Sequence, residues 1–386
     1  MRGEKMEKIT VFLESILKQS TPSQPVWNQE AILEKKPASW SYIDGCMLIS
    51  VLFMYESTKN EMYFDFLKQF IDYYIDDEGN ILGYDLDAMN SDSINEGKVL
   101  FTLYKKTKDE KYRKAMDHLY AQIQQQPRTN SGSFWHKKIY PNQIWLDGLY
   151  MIQPFYLEYE RLFNNGRNLP DIMQQFANVN QKMRDEKTGL YFHGYDETRQ
   201  AFWADPHTGC SSSFWTRSLG WYAMALVDTI DLLKEDYPEE KELLMIDLNE
   251  LIEALLVYED IETSLFYQVT NQAGRVGNYL ETSGSSAIAY TLMKGARIGV
   301  LPKSFYYKGE EILRKISEMK LIVTDETYVL KDICLVAGLG GMPGKGSYKL
   351  RDGTYEYYIS EPIVENDAKG IAPLIYAYTE YLKNNN

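Results

Sequence analysis

The sequence predicts an all-α protein built as an α6/α6 barrel, in which six inner helices form a ring and six outer helices wrap it. Two patterns predict this fold. Six times along the 386 residues, a polar loop ends in a glycine and then opens into an apolar run. Between these runs lie segments with apolar residues at helix spacing on one face only. Helices that are hydrophobic most of the way round are buried, and amphipathic helices cover them, so the alternation predicts two concentric rings.

The glycines mark where each inner helix begins. A glycine just inside a helix has no side chain, so a neighbouring backbone can approach closely there. The predicted inner helices begin around Gly45, Gly97, Gly148, Gly220, Gly284 and Gly370. The predicted outer helices cover 5–19, 61–75, 109–124, 169–184, 239–257 and 305–318.

After Gly148 the intervals lengthen, and the extra residues fall in the loops 184–215, 258–283 and 319–369. Strand-like patterns in these loops predict short hairpins at the barrel mouth over 187–197, 264–272 and 353–360. The glycine-rich segment 337–346 lacks the GK[ST] of a phosphate loop, so we predict a mobile lid there. No linker-like stretch divides the chain, and we expect one domain over 1–386.

Composition narrows the function classes. With 31 Tyr and 7 Trp, the chain has the large, polar-tipped aromatic surfaces found in carbohydrate clefts. Its net charge of −14 argues against a nucleic-acid partner, because few cations are available to displace phosphate counterions. Three widely spaced cysteines indicate a reducing compartment, and no apolar run is long enough to span a membrane. We therefore expect a cytoplasmic protein, and its oligomeric state stays open.

The stretch 133–151, SFWHKKIYPNQIWLDGLYM, mixes aromatic and polar residues more closely than a core-building segment does. Its rings alternate with His136, Lys137 and Asn142, which can hydrogen-bond to hydroxyl groups. A sugar ring has an apolar face and a rim of hydroxyls, so this pattern predicts a carbohydrate site. Asp147 would lie in the first turn of the third inner helix, at the mouth of the cavity.

Asp147 is the leading candidate for an acid. A carboxylate near a helix N-terminus is commonly just a partner of the helix dipole, usually with polar neighbours. Asp147 instead lies among Trp145, Leu146, Leu149 and Tyr150. Burial among such residues raises a carboxyl pKa and lets it donate a proton near neutral pH, so we expect a raised pKa here.

Asp92 begins the second inner helix, in MNSDSINEGK. It could be a helix N-cap, and its place at the same end of the barrel as Asp147 favours a functional role. His136 and His193 lie in aromatic loops without a second metal ligand at the usual spacing, so we expect hydrogen bonds to a sugar and no metal site.

A second aromatic and polar cluster lies in AFWADPHTGCSSSFWTRSLGW, with Trp215 and Trp221 flanking Arg217. A guanidinium group can pair with a carboxylate through two parallel hydrogen bonds, so Arg217 is a candidate carboxylate clamp. The alternative is a surface arginine stacked on tryptophan.

Six stretches resemble, in order, the unsaturated rhamnogalacturonyl hydrolases of glycoside hydrolase family 105. They are SDSINEGK, FWHKKIYPNQIWLDGLYM, GLYFHGYDE, WADPHTGCSSSFWTRSLGWYAMALVD, NYLETSGSSAIAYTLMKG and YYISEPIVENDAKG, and the resemblance spans residues 40–370. It implies an α6/α6 barrel that uses no cofactor or metal, with Asp147 as general acid and base and Asp92 as the second aspartate. It also implies sugar contacts from His136, His193, Trp215, Arg217 and Trp221 and, where the match is looser, from Trp40 and Tyr42.

The implied substrate is an oligosaccharide that a lyase has left with a C4=C5 double bond in its terminal uronate. The implied reaction is hydration of that bond. Three alternatives stay open at this point: an unsaturated glucuronyl hydrolase, the sister family; an ordinary inverting glycosidase with Asp147 as acid and Asp92 as base; and a carbohydrate-binding toroid without catalysis.

Overall fold

The computed structural model describes residues 4–324, 327–340 and 350–385. Its helices, in chain order, are α1 (Glu4–Gln19), α2 (Gln29–Glu34), α3 (Tyr42–Thr58), α4 (Glu61–Tyr74), α5 (Leu100–Thr107), α6 (Glu110–Gln125), α7 (Leu146–Phe163), α8 (Leu169–Met183), α9 (Thr216–Leu233), α10 (Pro238–Leu256), α11 (Thr282–Arg297), α12 (Lys303–Met319), α13 (Tyr355–Ser360) and α14 (Ala368–Asn385). Two 3-10 helices, Leu86–Ala88 and Ser91–Val99, precede α5. The short strands are β1 (Gln143–Trp145), β2 (Gly194–Asp196), β3 (Leu321–Val323), β4 (Tyr328–Leu330), β5 (Ile333–Cys334) and β6 (Ile363–Val364).

The inner ring closes on itself. Its members contact one another in the order α3, the 3-10 segment that leads into α5, α7, α9, α11, α14 and back to α3. The outer helices α4, α6, α8, α10 and α12 each pack against the inner helix that precedes them, and α1 packs against α14. The first and last helices of the chain therefore complete the α6/α6 barrel that the sequence predicts.

Two of the six glycines at the inner-helix entries allow the close backbone approach expected of them, whereas Gly97, Gly148 and Gly370 make room for side chains. A Cβ on Gly45 would lie 2.8 Å from the backbone of Glu96, and one on Gly284 would lie 2.9 Å from the backbone of Thr216. Both distances are shorter than carbon atoms tolerate. At these two entries, neighbouring segments of the inner ring therefore touch at the first turn of the helix.

The outer helices are held by their apolar faces. In α12, Ile312, Leu313 and Ile316 are fully buried, while Tyr307 on the other face is exposed. Burying each such aliphatic side chain contributes about 1.5–3 kcal/mol, so a few residues per helix suffice to hold the outer ring.

The predicted hairpins are only partly correct. The strand in 187–197 exists as β2, but its antiparallel partner is β1, with Trp145 opposite Gly194. The segment 264–272 forms isolated bridges, Trp215 with Val269 and Tyr267 with Leu280. The prediction of a hairpin over 353–360 is wrong, because Thr354 accepts a hydrogen bond from the Tyr357 N–H and caps helix α13. This cap outweighs the strand preference of the tyrosines. Of the predicted lid 337–346, residues 341–346 lie outside the described residues.

Candidate active site

The pairing of β1 with β2 brings Asp147 and His193 together. Strand β1 runs directly into α7, and the N–H of Leu146 donates to the carbonyl of His193 at 3.1 Å. One residue further, the Asp147 Oδ2 atom lies 3.1 Å from His193 Nε2. The His193 ring is fully buried, and the Asp147 side chain is 13% exposed. The carboxylate and the imidazole thus face each other at the entry of α7.

The expectation of a raised pKa for Asp147 is wrong. Burial alone would raise it, but the charges of His193 and His136 outweigh burial and lower the pKa. The sequence shows the aromatic surroundings of Asp147, whereas both histidines reach it only through the fold.

Asp92 has a different set of partners. It is not the cap of its helix, because Asn90 accepts the hydrogen bond from the Asp92 N–H. The Asp92 Oδ2 atom instead pairs with the Lys137 ammonium at 2.6 Å, and Oδ1 lies 3.7 Å from His136 Nε2. The charge of Asp92 raises the pKa of Lys137 against the opposing effect of burial. Asp92 and Lys137 therefore form a largely buried ion pair next to the His136 ring.

His136 lies between the two carboxylates. Its Nδ1 atom is 2.9 Å from the Ser91 hydroxyl, and its ring stacks on Trp145 with centroids 4.4 Å apart. A Cβ on Gly148 would come within 3.2 Å of Nδ1, so the glycine leaves room for this ring. Burial lowers the pKa of His136 to about 4, which makes the ring neutral at neutral pH.

His193 is held from its other side by Tyr358. The Tyr358 hydroxyl lies 2.7 Å from His193 Nδ1. The rings of Trp145 and Trp215 flank the imidazole, with centroids 5.4 and 4.9 Å away. The Trp215 indole N–H donates to Gln268 Oε1 at 3.1 Å, which fixes its plane.

Arg217 is buried, so the alternative of a surface arginine is wrong, although its guanidinium does lie over the Trp215 ring at 4.7 Å. It donates to the carbonyl of Cys334 and, at 3.3 Å, to the hydroxyl of Ser283. Nε has no hydrogen-bond partner among the described residues. Burial alone would lower the pKa of Arg217, but nearby negative groups raise it, so the buried guanidinium stays charged.

The remaining predicted residues occupy different places. Trp40 is buried and donates its indole N–H to the carbonyl of Ser93 at 2.8 Å, which supports the segment that carries Asp92. Trp221 is buried and stacks on Tyr150 at 5.0 Å. Tyr42 is half-buried within electrostatic reach of Asp92. Asn142 has a left-handed backbone with φ of 60° in the turn before β1.

Three residues around the site escaped the sequence analysis. Ser91 orients His136, Tyr358 orients His193, and the guanidinium of Arg351 lies beside Gly338 and close to Trp145. No local pattern marks any of them. Tyr358 in particular is one of 31 tyrosines and lies 165 residues from its partner.

The described residues contain neither a candidate metal site nor a membrane-spanning helix. No group of three or more His, Cys, Asp or Glu side chains in them could hold a metal ion. Among the helices of residues 4–324, 327–340 and 350–385, none has the length and hydropathy of a membrane span.

The chain is similar to several known proteins. It is 40% identical to a glycoside hydrolase from family 105 of Clostridium acetobutylicum (C. acetobutylicum ATCC 824), with a TM-score of 0.88 over 97% of this chain and 98% of that one. It is 26% identical to the unsaturated rhamnogalacturonyl hydrolase YesR of Bacillus subtilis over 268 residues, 67% of this chain and 72% of YesR. Protein Atu3128 of Agrobacterium fabrum is 37% identical over 59% of this chain and 97% of its own length.

Residues 16–385 match Glycosyl Hydrolase Family 88. This match covers nearly the whole barrel, including both aspartates and both histidines described above. The resemblance to family 105 is confirmed by the relative from C. acetobutylicum. The chain is thus a glycoside hydrolase that belongs to glycosyl hydrolase family 88, with family 105 enzymes among its structural relatives.

Proposed function

We propose that this enzyme removes the 4-deoxy-4,5-unsaturated galacturonyl residue from rhamnogalacturonan oligosaccharides made by lyases. The observation that carries the proposal is the contrast between two carboxylates in one aromatic pocket. Asp147 faces the imidazole of His193, and Asp92 is paired with the ammonium of Lys137. Such a site can move one proton while keeping a second negative charge in place.

The reaction begins with proton transfer from Asp147 to C4 of the substrate. The double bond is conjugated with the carboxylate and adjacent to the ring oxygen, so positive charge develops at C5 and on that oxygen. Water adds at C5 and returns a proton to Asp147. The resulting hemiketal opens by breaking the bond between C5 and the ring oxygen, which leaves a hemiacetal at C1. Its breakdown releases the neighbouring sugar as an alcohol.

Asp147 must hold a proton when the substrate is bound, although its pKa is lowered in the free enzyme. A substrate carboxylate close to Asp147 raises that pKa, because two negative charges in one buried site repel each other. The free Nε of Arg217 offers a partner for the substrate carboxylate. Substrate binding therefore prepares the acid.

Asp92 has a separate role. Its ion pair with Lys137 holds the carboxylate close to His136. There the carboxylate accepts hydrogen bonds from the hydroxyl groups of the sugar and stabilises the positive charge that develops in the transition state. The stacked rings of Trp145 and His136 supply an apolar wall for the sugar.

The name of YesR supports rhamnogalacturonan as the substrate source. An unsaturated glucuronyl hydrolase from Streptococcus agalactiae shares the fold at 14% identity and a TM-score of 0.68, so glucuronyl substrates form a comparison arm in the test. Cys46, Cys210 and Cys334 are unpaired and buried, which fits a reducing compartment, and we place the reaction in the cytoplasm.

The first test follows the ultraviolet absorbance of the double bond. The enzyme is incubated with lyase-generated rhamnogalacturonan oligosaccharides, with unsaturated glucuronyl oligosaccharides and with saturated oligosaccharides. We expect absorbance to fall fastest with the first. Sugar release without loss of absorbance would indicate ordinary hydrolysis, and no change with any sugar would leave only binding.

The second test follows the solvent proton. Turnover in heavy water must leave one deuterium on C4 if Asp147 protonates that carbon, whereas an ordinary glycosidase labels no ring carbon. Mass spectrometry at short times reads the label before the keto product exchanges hydrogen. An early product without carbon-bound deuterium would rule out the hydration mechanism.

A further inference from the structure

Tyr358 contacts His193 at the ring nitrogen that does not face Asp147. It is fully buried on α13, and its hydroxyl lies 2.7 Å from His193 Nδ1. The ring stacks on Trp215 at 6.0 Å and 21°, and its carbonyl accepts from Gln268 Nε2 at 3.2 Å. These contacts hold the phenol in one position.

The contact between the Tyr358 hydroxyl and His193 Nδ1 determines which ring nitrogen of His193 carries the hydrogen. A phenol hydroxyl has one hydrogen, and His193 Nδ1 is its hydrogen-bond partner within the described residues. Burial raises the pKa of Tyr358 well above its usual value, so the phenol keeps this hydrogen. When the phenol donates to Nδ1, a neutral imidazole must carry its own hydrogen on Nε2. Nε2 lies 3.1 Å from Asp147 Oδ2, within contact distance but not aligned as a hydrogen bond.

We propose that Tyr358 is a positioning residue that fixes His193 as the Nε2–H tautomer, so that the imidazole presents an N–H instead of a lone pair on the side of Asp147 and cannot accept a proton from it. The opposite tautomer would present a lone pair to Asp147. A protonated Asp147 would then give its hydrogen bond to His193 and hold its proton away from the substrate. We call this fixed tautomer of His193 the lock. It leaves the Asp147 proton available to C4 of the substrate, and in this respect the inference rests on the proposed function.

Few other groups compete for His193. Among the residues that the structure describes, the charged or titratable groups in contact with it or within electrostatic reach are Asp147 from α7, Tyr358 from α13 and His136 from the loop before β1. Its remaining neighbours include the indole rings of Trp145 and Trp215. Because His136 is neutral at neutral pH, Tyr358 and Asp147 together determine the tautomer.

The tautomer can be read without substrate. The chain has four histidines, so nitrogen-15 labelling and long-range proton–nitrogen spectra can resolve them, with a His193→Gln variant for assignment. We expect His193 in the unmodified enzyme to carry its proton on Nε2 across the active pH range. In Tyr358→Phe we expect a mixture of both tautomers. A proton on Nδ1 in the unmodified enzyme, or an unchanged spectrum in Tyr358→Phe, would overturn the proposal.

Tyr355→Phe is the matched control. Tyr355 lies on the same helix, is also buried, and donates its hydroxyl to the carbonyls of Arg275 and Val276 at 3.1 and 3.0 Å, away from His193. It loses a phenol hydroxyl from α13 as Tyr358→Phe does. We expect its histidine spectrum to be unchanged.

Kinetics supply the second readout. We expect Tyr358→Phe to lower kcat by about 10- to 100-fold and to leave KM within about twofold, because the lock acts on the proton and not on sugar binding. Tyr355→Phe should keep kcat within about twofold of the unmodified enzyme. Equal losses in both variants would assign the effect to the stability of α13 and reject the lock. If the enzyme processed no unsaturated sugar, the proposed function would be wrong. The nitrogen-15 spectra, which need no substrate, would still show which tautomer of His193 is present.

Discussion

Asp147 and Asp92 lie at the same mouth of the barrel, and His136 is within electrostatic reach of both. Their nearest partners differ in kind. Asp147 faces the imidazole of His193 at 3.1 Å, and Asp92 pairs with the ammonium of Lys137 at 2.6 Å. His193 is held on its other side by the Tyr358 hydroxyl, whereas Lys137 is an ammonium group whose raised pKa keeps it charged.

The difference teaches how one pocket can give two carboxylates separate tasks. A proton on Asp147 would break no ion pair with a lysine or arginine among the described residues. A proton on Asp92 would break an ion pair that is largely hidden from solvent, with side chains 11% and 23% exposed. On the proposed function, the partners, rather than the carboxylates themselves, therefore suit Asp147 to proton transfer and Asp92 to electrostatic support.

The largest effect is expected for Asp147→Asn. Asparagine keeps the size of the side chain but cannot cycle a proton, and general acid–base catalysis is worth about 10²–10⁴-fold. Initial rates on unsaturated oligosaccharides should fall by at least that much, while near-ultraviolet circular dichroism and substrate binding stay largely intact. Turnover within a few-fold of the unmodified enzyme would remove Asp147 from this role.

The next effect concerns stability and pH. Burial lowers the pKa of His136 from 6.5 to about 4, so between these values the unfolded chain binds more protons than the folded one. The free energy of unfolding from this group should therefore fall by up to about 3 kcal/mol as pH drops from the higher value to the lower.

Urea unfolding of the unmodified protein and of His136→Gln over this pH range measures the contribution of His136. The difference between the two curves isolates this residue from buried carboxyls such as Asp44, for which burial raises the pKa to about 7 and reverses the sign. Parallel curves would contradict the assignment.

Asp92→Asn should lower the free energy of unfolding by about 1–3 kcal/mol, because it leaves the Lys137 ammonium without its partner. Asp147→Asn serves as the comparison and should cost less, because Asp147 forms no ion pair with a lysine or arginine among the described residues. Lys137→Met added to Asp92→Asn should restore part of the loss in chemical denaturation. An equal loss in both single variants would erase the distinction between the two carboxylates.

The smallest effect is expected for Arg217→Lys. A lysine keeps the charge but not the planar group that bonds the Cys334 carbonyl while offering Nε to a ligand. We expect KM for a uronate substrate to rise by about tenfold, equivalent to about 1.4 kcal/mol, and KM for a substrate with the carboxyl group reduced to change little. Equal weakening of both substrates would show that Arg217 does not read the carboxylate.

The order of inner and outer helices could be read from the sequence because it depends on local signals. Apolar spacing and an entry glycine recur within each helix, so Gly45 and Gly284 indicate close contacts before any partner is known. The residue types of the site could be read in the same way. Asp147, His136 and Lys137 stand within one stretch whose alternation of rings and polar groups indicates a sugar.

The tertiary structure alone decided which groups face each other. The partner of β2 proved to be β1, and a capped helix replaced the strand predicted at 353–360. That helix carries Tyr358 to His193 across 165 residues of chain, and β1 and β2 bring His193 to Asp147. The direction of a pKa shift follows from such contacts, because electrostatic energy depends on distance in space and not along the chain. For this reason the sequence could identify Asp147 but not the lowered pKa that its neighbours produce.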